Sequence, residues 1–342
     1  MTHKSGARLI ESVTTFRESG LALVLALLIV GLTVAAPRFL LPSNLRNVLV
    51  DISILLIVAV AETMIIITRN IDISVGSILG FSGLSAGILW RSNLNVSVGL
   101  GVLVACLIGL GIGLTNGVIV AWLRVPSVIL TLGMLSLLRG LMFVTSGGKQ
   151  VDPQVIPESV IALAQTSPVQ IPAMVLIAAA IAGVAAVFLS WTPTGRSLYA
   201  LGSNPTAARL RGLPINRLTI LVFGIGGLLA GLCGVLYAGR YGTINPINAG
   251  AGLEFQVLAA AVIGGTNING GRGTVAGTFL GCLLLGVIAN GLAIGNVPPF
   301  WQAALSGAII VVAVVTDTVV TRRLQAAATL TRQSSIAAGT TP

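Results

Sequence analysis

The sequence predicts an all-α fold: a polytopic membrane helical bundle of about ten transmembrane helices, with the N-terminus and C-terminus cytoplasmic. Three observations carry this. Of 342 residues, 55% are apolar and only 8% are charged, against roughly 25% charged in soluble domains; such a chain cannot clothe itself in water. Apolar stretches long enough to cross a hydrocarbon core of ~30 Å recur between short polar breaks. Finally, the 19 basic residues outnumber the 9 acidic ones and gather in alternate breaks, which reads as membrane topology rather than nucleic-acid binding.

Taken in order, the spans fall at about 21–36, 49–68, 73–90, 96–122, 127–145, 171–191, 218–238, 255–268, 274–294 and 299–320. Residues 1–20 read as a retained cytoplasmic tail rather than a cleavable signal, because the polar lead is long. Residues 21–320 form the transmembrane domain and 321–342 a second cytoplasmic tail. With the N-terminus inside, the inner breaks collect Lys4, Arg8, Arg17, Arg69, Arg124, Arg196, Arg209, Arg211, Arg217, Arg272, Arg322, Arg323 and Arg332. The outer breaks hold Arg38, Arg46, Arg91, Lys149 and Arg240; this bias sets the orientation. Span eight is the shortest, and its glycines and Asn267 suit a broken helix lining a protein cavity.

Glycines recur four residues apart, as in Gly109, Gly113 and Gly117 or Gly227 and Gly231. Close backbone approach through small-residue faces supplies much of helix packing in lipid, so these belong to architecture. Gly271 to Ala276 fits a dinucleotide fingerprint but lacks a strand–helix–strand setting. There is no GxxxxGK[ST] phosphate loop, so any ATP-driven work needs another subunit. The only histidine is His3, and Cys106, Cys233 and Cys282 lie singly in apolar runs. No triad, metal site or cofactor site is expected from them.

The polar groups inside spans are the remaining signals. A charge at a span centre costs on the order of 3 kcal/mol, and the aliphatic residues around Glu62 offset that. Glu62 is then either a pathway or helix-contact residue or a protonated packing residue. Span two is followed by Thr68-Arg69-Asn70-Ile71-Asp72-Ile73-Ser74, where Asp72 or Ser74 is placed to cap the next helix. The pattern Asn70-Ile71, Gly76, Gly80 returns 197 residues later as Asn267-Ile268, Gly273, Gly277, as duplicated transporter halves would. Arg139, inside span five, is expected to pair with a carboxylate or snorkel outward. Glu62, Asn70, Asp72, Asn116, Asn267 and Asn290 are the pathway candidates. The outer segments 146–170 and 239–256 are solvated connectors or docking surfaces.

The inner loop 192–217 carries the most information. Asn204 is a good N-cap, Pro205 suits the first helical position, Ala207, Ala208, Arg209 and Arg211 favour helix, and Gly212 with Pro214 ends it. A helix this short needs a packing partner to persist.

Gly195 to Asn216 resembles the coupling-helix loop of ABC importer permeases of the ribose/xylose/rhamnose/autoinducer-2 group, and Ile71-Asp72-Ile73-Ser74-Val75-Gly76-Ser77 resembles that family's I-D-[IL]-S-V-G-S signature. Asn116-Gly117, Pro126 to Gly133 and Val262 to Thr266 extend the likeness over about residues 20–320. The resemblance implies a permease, not an enzyme, in a bacterial inner membrane. It would work with a second permease copy, an ABC ATPase subunit and a periplasmic sugar-binding protein, and Asn204 to Gly212 would meet the ATPase. Arg69-Asn70 before Ile71 looks more like the rhamnose and autoinducer-2 branches than the ribose branch, which tends to have two glycines there. The alternatives are a branched-chain amino-acid ABC permease and an ion-coupled secondary transporter.

Overall fold

The structure, a computed structural model, describes residues 3–298 apart from 94 and 166–170, together with helical positions 301, 304–305, 307–308, 311–312 and 315; for residues 3–17 only the backbone is described. Most of the tenth predicted span, and all of 321–342, lie outside the described residues.

The chain is helical throughout the described residues. The longer helices are α1 (His3–Ala35), α2 (Pro42–Ile67), α3 (Val75–Ser92), α4 (Val98–Leu123), α5 (Ser127–Ser146), α7 (Ala173–Trp191), α10 (Ile215–Tyr241) and α12 (Val275–Ile294). Shorter ones are α6 (Glu158–Gln165), α8 (Pro193–Ser203), α9 (Pro205–Leu210) and α11 (Leu253–Ile263), and a 3₁₀ turn covers Pro37–Leu40. Seven are long and apolar enough to cross a membrane: part of α1, α2, α4, α5, α7, α10 and α12. The third and eighth predicted spans differ. α3 has 18 residues diluted by serine and glycine, and α11 has only 11. α3 lies largely inside the protein and the buried part of α11 packs on α2 and α12, so neither has to satisfy lipid along its whole length.

α2 is the central pillar. Of its most apolar stretch 94% is buried, against 6% for the span in α1. Its Ile, Val and Leu side chains meet α7, α10, α11 and α12. Around it, glycine faces bring backbones together. A methyl at Gly109 or Gly113 would collide with the backbone of α10 at Gly227 and Phe223, one at Gly83 would stand 2.6 Å from the Gly234 carbonyl, and one at Gly281 would strike the Ala260 carbonyl. The predicted small-residue stripes are therefore the α4–α10, α3–α10 and α11–α12 contacts.

Helix ends sort to two faces. One carries residues 68–70, 192–214 and 264–274, which bond to one another; the other carries 36–41, 147–157 and 242–247, while Ala249 and Gly250 reach inward to press on Gly80 and Gly76 at the start of α3. On the opposite face Val151 and Ile244 exchange backbone hydrogen bonds of 2.9 and 3.1 Å, joining the two outer segments.

Candidate functional site

The six predicted pathway residues separate into three places. Glu62, Asp72 and Asn116 form a buried knot. The Glu62 carboxylate accepts the Asp72 backbone N–H at 3.0 Å, and Asp72 Oδ1 accepts both the backbone N–H (2.8 Å) and the hydroxyl of Ser74. Asn116 donates to Ser74 Oγ at 3.1 Å, reaching from α4. Asp72 therefore shapes its own turn and does not cap α3: Ser74 occupies the N-cap position in helical geometry, with no side-chain cap bond. Thr131 and Ser127 of α5 accept from the backbone N–H groups of Ile73 and Ile71. The backbone N–H groups of Ile71 to Ser74 thus each find an acceptor on α2, α5 or the turn itself, as a buried backbone demands. Glu62 Oε2, Asp72 Oδ2 and Asn116 Oδ1 are buried with no hydrogen-bond partner among the described residues.

Asn70 and Asn267 belong to the two related turns. Asn70 donates to Thr68 at both its carbonyl and hydroxyl, and Asn267 Oδ1 accepts the Asn269 N–H. These turns touch: Gly271 N–H donates to the Ile67 carbonyl at 2.9 Å. The segments paired by the 197-residue offset thus lie side by side on one face. Asn290 sits at the other end, sharing reciprocal amide bonds of 2.9 and 2.8 Å with Asn44.

The loop predicted as most informative folds as two helices. α8 was not foreseen: Thr192 caps it by accepting the Gly195 N–H at 2.9 Å, and its Leu198 and Leu201 are buried. α9 begins as expected, with Asn204 accepting the Ala207 N–H at 3.0 Å and Pro205 following. It ends where Gly212, at φ +75°, lets Leu213 N–H return to the Ala208 carbonyl. Ala208 packs inward, while Arg209 and Arg211 are exposed.

What holds α9 to the bundle is a junction the sequence did not disclose. Arg69, in left-handed backbone geometry at φ +68°, donates Nε to the Gly202 carbonyl at 2.6 Å and a terminal N–H to the Ser203 carbonyl at 3.0 Å. Gly202 packs against the Ile67 carbonyl so closely that a methyl there would overlap it. Gly270 and Gly271 press on Arg69 and Ser203 in the same way. Tyr199 donates its hydroxyl to the Gly273 carbonyl at 2.8 Å, and burial pushes its phenol up to about 12, so it remains a donor at neutral pH. The end of α8 at the base of α9, the foot of α2 and the 264–274 turn are therefore joined by hydrogen bonds and close backbone contact.

Comparison with known proteins decides what such a molecule is. Residues 44–314 match the family model described as branched-chain amino acid transport system / permease component. The chain belongs to this permease family. The permease is 35% identical over 315 residues to the ribose import permease protein RbsC of Escherichia coli K12, covering 92% of this chain and 97% of that one. It is 37% identical over 269 residues to the autoinducer 2 import system permease protein LsrC of Yersinia enterocolitica, covering 77% and 72%. The corresponding protein of Photorhabdus laumondii is 36% identical over 269 residues. No solved structure matches the permease. Residues that sequence reasoning missed are Ser127 and Thr131 as acceptors for the turn, Tyr199, and the role of Arg69. The N-cap pattern Thr192-Pro193 was the available sign of α8.

Proposed function

We propose that this permease is the membrane subunit of an ATP-driven importer that carries a monosaccharide or sugar-like solute, of the ribose, rhamnose or autoinducer-2 type, across a bacterial inner membrane. The relatives' printed roles in ribose and autoinducer 2 import support the substrate class over a branched-chain amino acid. An ATPase subunit would dock on α9, a second permease copy would complete the path, and a periplasmic binding protein would deliver solute to the opposite face. The face carrying α8 and α9 would then be cytoplasmic, in keeping with Arg124, Arg196, Arg209, Arg211, Arg217 and Arg272 there.

The observation that carries this reading is the junction beneath α9. A six-residue helix cannot hold itself in water, and here it is capped, exposed on its basic side, and preceded by α8, whose last residues are bonded to Arg69 just past the foot of the buried α2. Motion imposed on α9 has a stiff route to α2. Replacing Arg209 and Arg211 together by Glu is expected to uncouple uptake from ATP hydrolysis while membrane insertion persists; uptake at the unaltered rate in vesicles holding the full complex would count against docking at α9.

A further inference from the structure

We infer that a cavity on the opposite face, between α2, α10, α11 and α12, is a binding site for a neutral, hydroxyl-rich solute of monosaccharide size. The inference rests on the importer reading above, in which this face receives solute. The cavity measures about 410 Å³, within the ~300–1,000 Å³ typical of small-ligand sites.

Its wall has the chemistry of a polyol site. Aliphatic side chains of α2 and α12 form one side. Tyr237 and Tyr241, one turn apart on α10, hold their rings 4.4 Å apart and tilted by 43°, giving C–H faces an aromatic platform. Asn248 and Gln256 present side-chain amides that are exposed and make no hydrogen bond to other described residues. Amides and phenols each donate and accept, as a ring of hydroxyl groups requires.

Charge excludes the obvious rival. The carboxylate in the wall, Asp51, is engaged on both oxygens by Arg240, at 2.7 and 3.1 Å, and Arg240 also reaches the Asn47 side chain at 3.4 Å. The pair closes on itself. A zwitterionic amino acid needs an unpaired anion for its ammonium and an unpaired cation for its carboxylate, and the cavity wall offers neither among the described residues. An uncharged sugar needs neither.

Saturation-transfer NMR on the permease in lipid nanodiscs, with D-ribose, D-xylose, L-rhamnose and L-leucine as probes, tests this. At least one sugar is expected to give a signal and leucine none. Gln256→Leu and Asn248→Leu, each retaining the wild-type elution profile, should weaken that sugar by about tenfold. Leu103→Ala, on the outward side of α4 away from the cavity, should not. A signal from leucine alone, no signal from any probe, or a sugar signal unchanged in both amide variants would overturn the inference. Co-purification with the ATPase separates the two readings. A permease that holds its ATPase but seats no sugar loses only the cavity assignment. One that seats sugar through these residues but binds no ATPase loses the importer reading instead.

Discussion

Asp72 shows how one polar residue in an apolar chain fixes a local geometry. Its carboxylate satisfies two Ser74 donors, and its own N–H is taken by Glu62. Removing the carboxylate in Asp72→Ala strands a buried N–H and a hydroxyl, each costing about 1–3 kcal/mol. Glu62→Gln keeps an acceptor for the Asp72 N–H and removes one of two neighbouring ionisable groups. Thermal unfolding in detergent should therefore show a clear fall in Tm for Asp72→Ala and none for Glu62→Gln. Equal losses would mean that Glu62 is held for its charge, not for the acceptor it offers. The sequence made Glu62 conspicuous because intramembrane carboxylates are expensive, and Asp72 because it stands where a cap for the next helix is expected. It did not show that Ser74, Asn116, Ser127 and Thr131 converge on the same turn from sequence separations of up to 60 residues.

Elements were legible to the degree that their signals were local. α9 was readable because Asn204, Pro205 and Gly212 each act within one turn. α8 was passed over because Gly195, Gly202 and the polar residues between them disguise an amphipathic helix whose apolar side is only Leu198 and Leu201 facing the bundle. α3 was read as a full span on apolar content alone, whereas α11 falls in the stretch already read as a short, broken helix; both are tolerated because neighbouring helices cover them. The junction at Arg69 is a property of three elements at once. Arg69→Ala is expected to leave the α8–α9 base attached through Tyr199 and the fitted glycines but to loosen the strut. In proteoliposomes with the complete complex, solute moved per ATP hydrolysed should drop severalfold while ATP hydrolysis itself continues. Arg69→Lys should recover only part, since a single ammonium does not reproduce two directed N–H bonds to adjacent carbonyls. A transport ratio equal to wild type in Arg69→Ala would remove the strut from the mechanism.

At the scale of the whole molecule, the two faces are chemically unlike: a basic face bearing α8 and α9, and an opposite face bearing the cavity and the paired outer segments. The importer reading assigns the first to the cytoplasm. Single cysteines introduced at Arg209 and at Lys149 should then be modified by a membrane-impermeant thiol reagent from opposite sides of intact spheroplasts, Lys149→Cys from outside and Arg209→Cys only after permeabilisation. The reverse pattern would invert the orientation and with it the placing of the ATPase. The bundle itself, its helical class, the glycine stripes and the family were already determined by the sequence, because hydropathy, caps and motifs act over one helix or less. Tertiary structure alone decided that α2 is the pillar, that the turns around Arg69 and Gly271 lock against the base of α9, and that a cavity of aliphatic side chains with a few phenols and amides opens toward the other end. Those features depend on which backbones come within hydrogen-bond distance, and in a chain rich in glycine and aliphatic residues many pairings look equally good until the helices pack.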